Sequence, residues 1–348
     1  MNWVRGDFLG SGSFATVNLA KHIKPSVNIP SLTAVKSCEF SHSLSLQKEK
    51  NILERLRSCP HIIHCFGHDL TIENGEEYYN IFLEYANCGT LNDQLKNYDG
   101  KLPEKLVRRY TRSVVKGLKY IHENGFVHCD LKPPNILVFD NDNVKISDFG
   151  LAKEMGVEED KKMKCKGTPM FMSPEAVMDN VYESPVDIWA LGCTVLEILT
   201  GEPAWDISYN TDPLKLLVHI GVSKEVPLIP EKISEEAKDF LEKCLVRDPL
   251  KRWSAEMLLK HPFISDDETV SSVKESTFSS TSPVTHFGFS NWSSSTVTTL
   301  PYSSIEADYC FLSQEKNLLD CWPEEMLTTS EKSLDLLEYD EWCFVISN

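Results

Sequence analysis

One short stretch restricts the folds open to this chain more than any other: His128-Cys129-Asp130-Leu131-Lys132-Pro133-Pro134-Asn135, followed by Asp148-Phe149-Gly150. An acid, a lysine and an amide stand at fixed offsets in one loop. A second acid follows a strand-like segment, Val144-Lys145-Ile146-Ser147. For these groups to act together, the fold must bring the loop and the turn after the strand into one cleft. Asp130 can orient a hydroxyl and accept its proton, and Lys132 can neutralise charge on a moving group. Asn135 and Asp148 offer oxygen ligands for metal ions that bridge phosphates. That combination suits phosphoryl transfer.

In these two motifs the chain resembles the eukaryotic protein kinase family, and the family's other parts can be found in order. Leu9-Gly10-Ser11-Gly12-Ser13-Phe14-Ala15-Thr16-Val17 is similar to the glycine-rich loop between two strands, where glycine lets backbone approach the ATP phosphates. Ala15 replaces the third glycine, which stiffens the loop slightly. Thr33-Ala34-Val35-Lys36 corresponds to the family's V-A-I-K, implying that Lys36 contacts the α- and β-phosphates with Ala34 beside it. In the helical run Leu46 to Leu56, Glu49 is the implied ion-pair partner of Lys36. Glu54 competes for that role but reads as an exposed helix charge. Ile81-Phe82-Leu83 followed by Glu84-Tyr85-Ala86 resembles a gatekeeper (Leu83) and a hinge whose backbone, at Glu84 and Ala86, binds adenine. Taken without its neighbours, this segment is simply a buried strand.

Past the catalytic loop, Gly167-Thr168-Pro169 resembles the substrate loop, and Ser173-Pro174-Glu175 the A-P-E motif with serine replacing alanine. Asp187-Ile188-Trp189-Ala190-Leu191-Gly192 corresponds to the buried helix whose Asp braces the catalytic loop. Arg252 is the implied partner of Glu175. The resemblance covers residues 1–264 and implies an α+β, two-lobe protein kinase fold: a small antiparallel β N-lobe with one main helix over 1–85, and a larger helical C-lobe over 86–264. ATP and Mg²⁺ are the implied cofactors. Lys132 with Thr168 points to the serine/threonine class. Trp3-Val4-Arg5-Gly6, the loop Gly12 to Val17, His128-Cys129-Asp130 and Gly167 to Met172 are similar to the plant MEKK-like mitogen-activated protein kinase kinase kinases. A MAP kinase kinase is then the implied protein substrate. Two other readings are weighed. A kinase-shaped scaffold acting through partners usually lacks the strand lysine or one of the two aspartates, and all three are present. A small-molecule kinase is disfavoured by the Gly-Thr-Pro and Ser-Pro-Glu segments. His122 and His128 read as packing and hydrogen-bonding residues, because Asp130 already fills the role of base.

Composition bounds the rest. A hydrophobic content of 41% supplies a large core. The start, Met1-Asn2-Trp3-Val4-Arg5-Gly6, has no leader character. The apolar run from Ile188 to Thr200 contains Glu197 and is shorter than the ~20 residues of a membrane span, so a buried helix is expected. The eleven cysteines lack paired spacing, which suits a reducing, cytoplasmic or nuclear setting and no metal cluster. A formal charge of −17 argues against a nucleic-acid partner. Much of that acidity lies late in the chain. Residues 265–348 hold fifteen acidic and three basic side chains, a net of −12, which leaves −5 for the catalytic region. Residues 265–304 are rich in Ser and Thr and are expected to be a disordered linker. Residues 305–348 mix acids with large apolar groups and are expected either to dock a partner, to fold back on the catalytic region, or only to solubilise.

The segment between the two catalytic motifs and the substrate loop lacks a switch. Cys129 replaces the arginine that in the family pairs with a phosphorylated loop residue. From Asp148 to Gly167 there is no Ser, Thr or Tyr to receive phosphate. Thr168 follows, but a phosphate there would obstruct the substrate loop. Glu158, Glu159 and Asp160 offer substitute charge, though they read more simply as a solvated turn facing Lys161, Lys162, Lys164 and Lys166. Activity without loop phosphorylation is expected. Because the catalytic region begins almost at residue 1, control is expected to fall to abundance, partners or the C-terminal segment, where Ser282-Pro283 offers a proline-directed phosphosite.

Overall fold

The computed structural model describes residues 3–12, 15–24, 29–157, 166–205 and 213–265. Ser13, Phe14, the acids at 158–160 and everything expected of the region from 266 onward lie outside the described residues. The N-terminal part is one antiparallel sheet in the order β1-β2-β3-β5-β4, built from β1 (Trp3–Ser11), β2 (Thr16–His22), β3 (Leu32–Glu39), β4 (Cys65–Glu73) and β5 (Glu76–Leu83). Its register places Val17 opposite Lys36, Lys36 opposite Ile81 and Ala34 opposite Leu83. The glycine-rich connection, the lysine and the end of β5 therefore meet at one end of the sheet.

Helix α1 (Leu44–Leu56) packs beside this sheet. Its buried positions include Leu46, Glu49, Leu53 and Leu56, spaced three and four apart along one face. Glu49 is the one acid on that face and is 1% exposed, whereas Glu54 is exposed and pairs with Lys50 at 2.9 Å. The competition between the two glutamates is thus decided by helix phase. A buried glutamate among leucines needs a cation, and β3 supplies it.

The larger part is helical, as expected. It comprises α2 (Leu91–Asn97), α3 (Glu104–Glu123), α4 (Pro174–Asp179), α5 (Ser184–Thr200), α6 (Pro213–Val222), α7 (Glu235–Cys244) and α8 (Ala255–Leu258). Two small antiparallel pairs, which the sequence reading did not separate, frame the catalytic loop: β6 (Phe126–Val127) with β9 (Lys153–Glu154), and β7 (Ile136–Phe139) with β8 (Asn143–Ile146). Ser234 caps α7: its hydroxyl accepts from the Ala237 N–H at 3.1 Å.

Helix α5 is buried on every side, as an all-round apolar helix must be in a globular core. Among the described residues no helix is long and apolar enough to cross a membrane. Gly192 lets α7 approach, since a Cβ there would lie 2.8 Å from Cys244 Cβ. Arg252 and Glu175 form a buried bidentate pair at 2.6 and 3.0 Å, as the resemblance implied. Removing either partner would strand a buried charge, at a cost of about 3–5 kcal/mol.

Glu197 is the discordant group on α5. It has no ion-pair partner among the described residues, and burial pushes its carboxyl up to about 7 from an ordinary 4.5. The folded state therefore prefers the protonated form. Its contribution is intact below the ordinary value and drains away as pH rises toward and past 7. Glu197→Gln should match the parent in thermal unfolding near about pH 5 and exceed it by about 5 °C near about pH 8. A constant difference across that range would remove the assigned cause.

Candidate active site

Asp187, near the start of α5, fixes the catalytic loop from beneath. Its carboxylate accepts from the His128 N–H at 2.9 Å, the Cys129 N–H at 2.9 Å and His122 Nε2 at 2.8 Å. Burial alone would raise this carboxyl, but bonding to His122 and the nearby His128 outweighs it and holds the group below its usual range. Held this way, the loop turns sharply, and Cys129 adopts φ +68°. Both histidines are structural, as read: His128 Nε2 also contacts the Ser147 carbonyl at 2.9 Å, and its ring meets Phe149 edge-on at 4.9 Å.

Above this brace the predicted catalytic residues converge. Lys132 Nζ lies 3.2 Å from Asp130 Oδ2 and donates to Thr168 Oγ1 at 2.8 Å. The Thr168 hydroxyl in turn donates to Asp130 Oδ1 at 2.8 Å. Asn135 Nδ2 donates to the Asp130 carbonyl at 2.8 Å and to its Oδ2 at 3.0 Å, which leaves the Asn135 Oδ1 for other use. Gly167 is required just before Thr168. It has φ +106°, and a Cβ there would sit 2.7 Å from the Cys129 carbonyl oxygen. The substrate loop thus rests directly on the catalytic loop.

A second convergence lies around Lys36. Its ammonium donates to Glu49 Oε2 at 2.7 Å and Asp148 Oδ1 at 2.8 Å. Burial would lower the lysine, but Asp148 and Glu49 together override that and hold it above its usual range. Burial likewise would raise Asp148, yet Lys36 brings it down to about 2. For Glu49, burial outweighs the attraction of Lys36 and moves the group upward. Asp148 has φ +61°, Phe149 is fully buried, and the Phe149 N–H donates to Glu49 Oε1 at 3.3 Å.

The nucleotide side is equally assembled. Gly10 and Gly12 have open space where a Cβ would project, so the protein's own packing does not demand glycine there. Leu83 and Ala34 are buried opposite each other. Among the described residues the Glu84 carbonyl and the Ala86 N–H make no hydrogen bond within the protein, leaving one acceptor and one donor two residues apart for an incoming heterocycle. The Glu84 side chain is spent elsewhere, on Lys145 at 2.6 and 2.7 Å. Leu9, Ser11, Ala15, Thr16 and Val17 flank the glycines on β1 and β2 or between them.

Sequence reasoning missed how the substrate loop is anchored. The Lys166 N–H donates to the Tyr182 hydroxyl at 2.6 Å. Tyr182, Cys129, Val127 and Met172 form one buried apolar cluster beneath the loop. Cys129 therefore packs into a nonpolar bed. No local pattern ties Tyr182 to Lys166, so only the tertiary structure reveals the contact.

Comparison with known proteins agrees with this geometry: residues 3–264 match the model of the protein kinase domain. The chain belongs to the protein kinase family. It is 47% identical over 314 residues to mitogen-activated protein kinase kinase kinase 20 of Arabidopsis thaliana, an alignment covering 86% of this chain and 91% of the relative. Mitogen-activated protein kinase kinase kinases 17 and 18 of the same plant are each 43% identical, over 76% and 77% of this chain and 70% and 79% of their own. The chain is a serine/threonine protein kinase. Asp130→Asn should lower kcat by about 10²–10⁴-fold while leaving the KM for ATP nearly unchanged, as loss of a base at the acceptor hydroxyl requires. Steady-state kinetics with varied ATP checks this, and a rise in KM alone would place Asp130 in binding.

Proposed function

We propose that this chain is a mitogen-activated protein kinase kinase kinase that phosphorylates a MAP kinase kinase on serine or threonine, using ATP with Mg²⁺ and needing no phosphate on its own activation loop. One observation carries the reading. The Asp130–Lys132–Thr168 network and the Lys36–Glu49–Asp148 network are both closed, in a chain with cysteine at 129 and no Ser, Thr or Tyr from 148 to 167. The names of the relatives support the substrate class.

In this account Asp130 orients the acceptor hydroxyl and takes its proton. The acceptor oxygen bonds to the γ-phosphorus as the bond to the β,γ-bridging oxygen breaks, and ADP leaves. Lys132, beside Asp130, neutralises charge on the transferring group. The Thr168 hydroxyl bridges the two and fixes their separation, so a phosphate on Thr168 would force a second anion against Asp130. Lys36 holds the α- and β-phosphates while Glu49 fixes Lys36. Asn135 Oδ1 and the Asp148 carboxylate suit Mg²⁺, a hard cation commonly bound through one or two carboxylates together with substrate phosphates. When bound, Mg²⁺ would neutralise phosphate charge; the protein's part is positioning and preorganised electrostatics.

The test uses bacterially expressed protein treated with phosphatase, a panel of kinase-dead MAP kinase kinases, and Lys36→Met as control. Strong transfer to one member, abolished in the control, is the expected result. Activity that appears only after an upstream kinase phosphorylates the protein would discard the phosphate-independent part. Transfer to unrelated proteins but to no MAP kinase kinase would overturn the substrate class.

A further inference from the structure

Helix α3 carries Lys105, Arg109, Arg112 and Lys116 at i, i+4, i+7 and i+11, which is one face of a helix. The row rises about 16 Å along the axis. Arg109 is engaged by Asp142 at 2.9 Å, and Arg112 also has an interaction of its own, so the open positions are the two lysines at the ends of the row. Among the described residues no carboxylate comes within ion-pair distance of Lys105 or Lys116, and both are exposed. The cations crowd one another. Burial and then Arg112 push the Lys116 ammonium below its ordinary range, and His61 nearby is lowered by burial, Lys116 and Lys145. Like charges four residues apart on a helix oppose each other. Such a face gains from arriving carboxylates.

The chain itself carries a matching segment. Residues 335–341 hold Asp335, Glu338, Asp340 and Glu341, four acids in seven positions, next to Leu334, Leu336 and Leu337. The described chain also ends beside α3. Arg108 of that helix donates to the Phe263 carbonyl at 3.3 Å and stands over the Phe263 ring at 4.7 Å, two residues before Ser265. By random-coil scaling, the length of about 70 residues between Ser265 and Leu334 corresponds to a root-mean-square distance of about 45 Å, ample for a row about 16 Å long. Tethering makes the encounter intramolecular, so modest ion pairs suffice to populate it.

We propose that the acidic segment Leu334–Ile346 docks on the α3 face formed by Lys105, Arg109, Arg112 and Lys116. The seat is electrostatic and therefore weakens as salt shortens the screening length. It is independent of the assigned substrate.

Lysine footprinting of the full chain by acetylation and mass spectrometry tests the docking, with Lys251, 77% exposed, as internal reference. Its comparison is a full-length variant carrying Asp335→Lys, Glu338→Lys, Asp340→Lys and Glu341→Lys. In low salt, Lys105 and Lys116 should react about fivefold more slowly in the parent than in the variant, as about 80% occupancy gives. The difference should vanish near about 1 M NaCl. Equal reactivity in parent and variant, whether high or low, would overturn the proposal. Protection that fades on dilution, with cross-links joining isotopically distinct copies, would assign the face to a second molecule and overturn it equally.

Discussion

A single ammonium group joins three parts of this molecule that are remote in sequence. Lys36 stands on β3, Glu49 on α1, and Asp148 just beyond β8, and both carboxylates lie within hydrogen-bond distance of Nζ. Neither Lys36 nor Glu49 would be stable alone in that setting. An unpaired buried glutamate or lysine costs several kcal/mol or changes its protonation state. Pairing them makes the position of α1, the depth of Phe149 and the direction of Asp148 mutually dependent. The nucleotide cleft is shaped by that dependence, because the strand bearing Lys36 also aligns the glycine-rich connection and Leu83.

The catalytic loop follows a different physical logic. Asp187 supplies three hydrogen-bond acceptances from a fully buried position, and the loop is bent around them. An arginine at 129 would have needed a counter-anion beneath the substrate loop, and the segment before Thr168 contains no hydroxyl to carry phosphate. Cysteine removes that requirement. Its thiol packs with Val127, Met172 and Tyr182, and burial of apolar side chains stabilises by about 1.5–3 kcal/mol each without any modification. The Tyr182 hydroxyl then satisfies the Lys166 amide. On the proposed reading, packing and the Tyr182–Lys166 hydrogen bond take the place of a switchable ion pair, so that the closed arrangement of Asp130, Lys132 and Thr168 would be available to the unmodified chain.

Most of the site was legible because its motifs resemble those of the protein kinase family, and the structure shows why those residue types sit where they do. A lysine in an apolar strand, an acid on a leucine-lined helix face and an Asp-x-Lys-x-x-Asn loop have few comfortable alternatives. The preference for Glu49 over Glu54 came from the resemblance, and helix phase supplies its physical reason, because Glu49 falls on the leucine-lined face and Glu54 does not. Ser13 and Phe14 lie outside the described residues, so the tip of the glycine-rich connection remains a sequence assignment. Less was legible where a contact is purely tertiary. Tyr182 with Lys166 and Glu84 with Lys145 pair residues that no spacing rule links. Of the two-strand pairs around the catalytic loop, β8 was read as the strand-like Val144–Ser147, whereas β6, β7 and β9 were missed for a related reason: two- and four-residue strands show too little alternation to stand out.

In the proposed function the substrate loop is ordered by packing and does not wait for a phosphate. Amide hydrogen exchange at Lys166 in dephosphorylated, nucleotide-free protein addresses it directly. Slow exchange there, lost in Tyr182→Phe with the fold otherwise intact, is the predicted result. Exchange at the rate of an open loop, slowing only after phosphorylation, would contradict it.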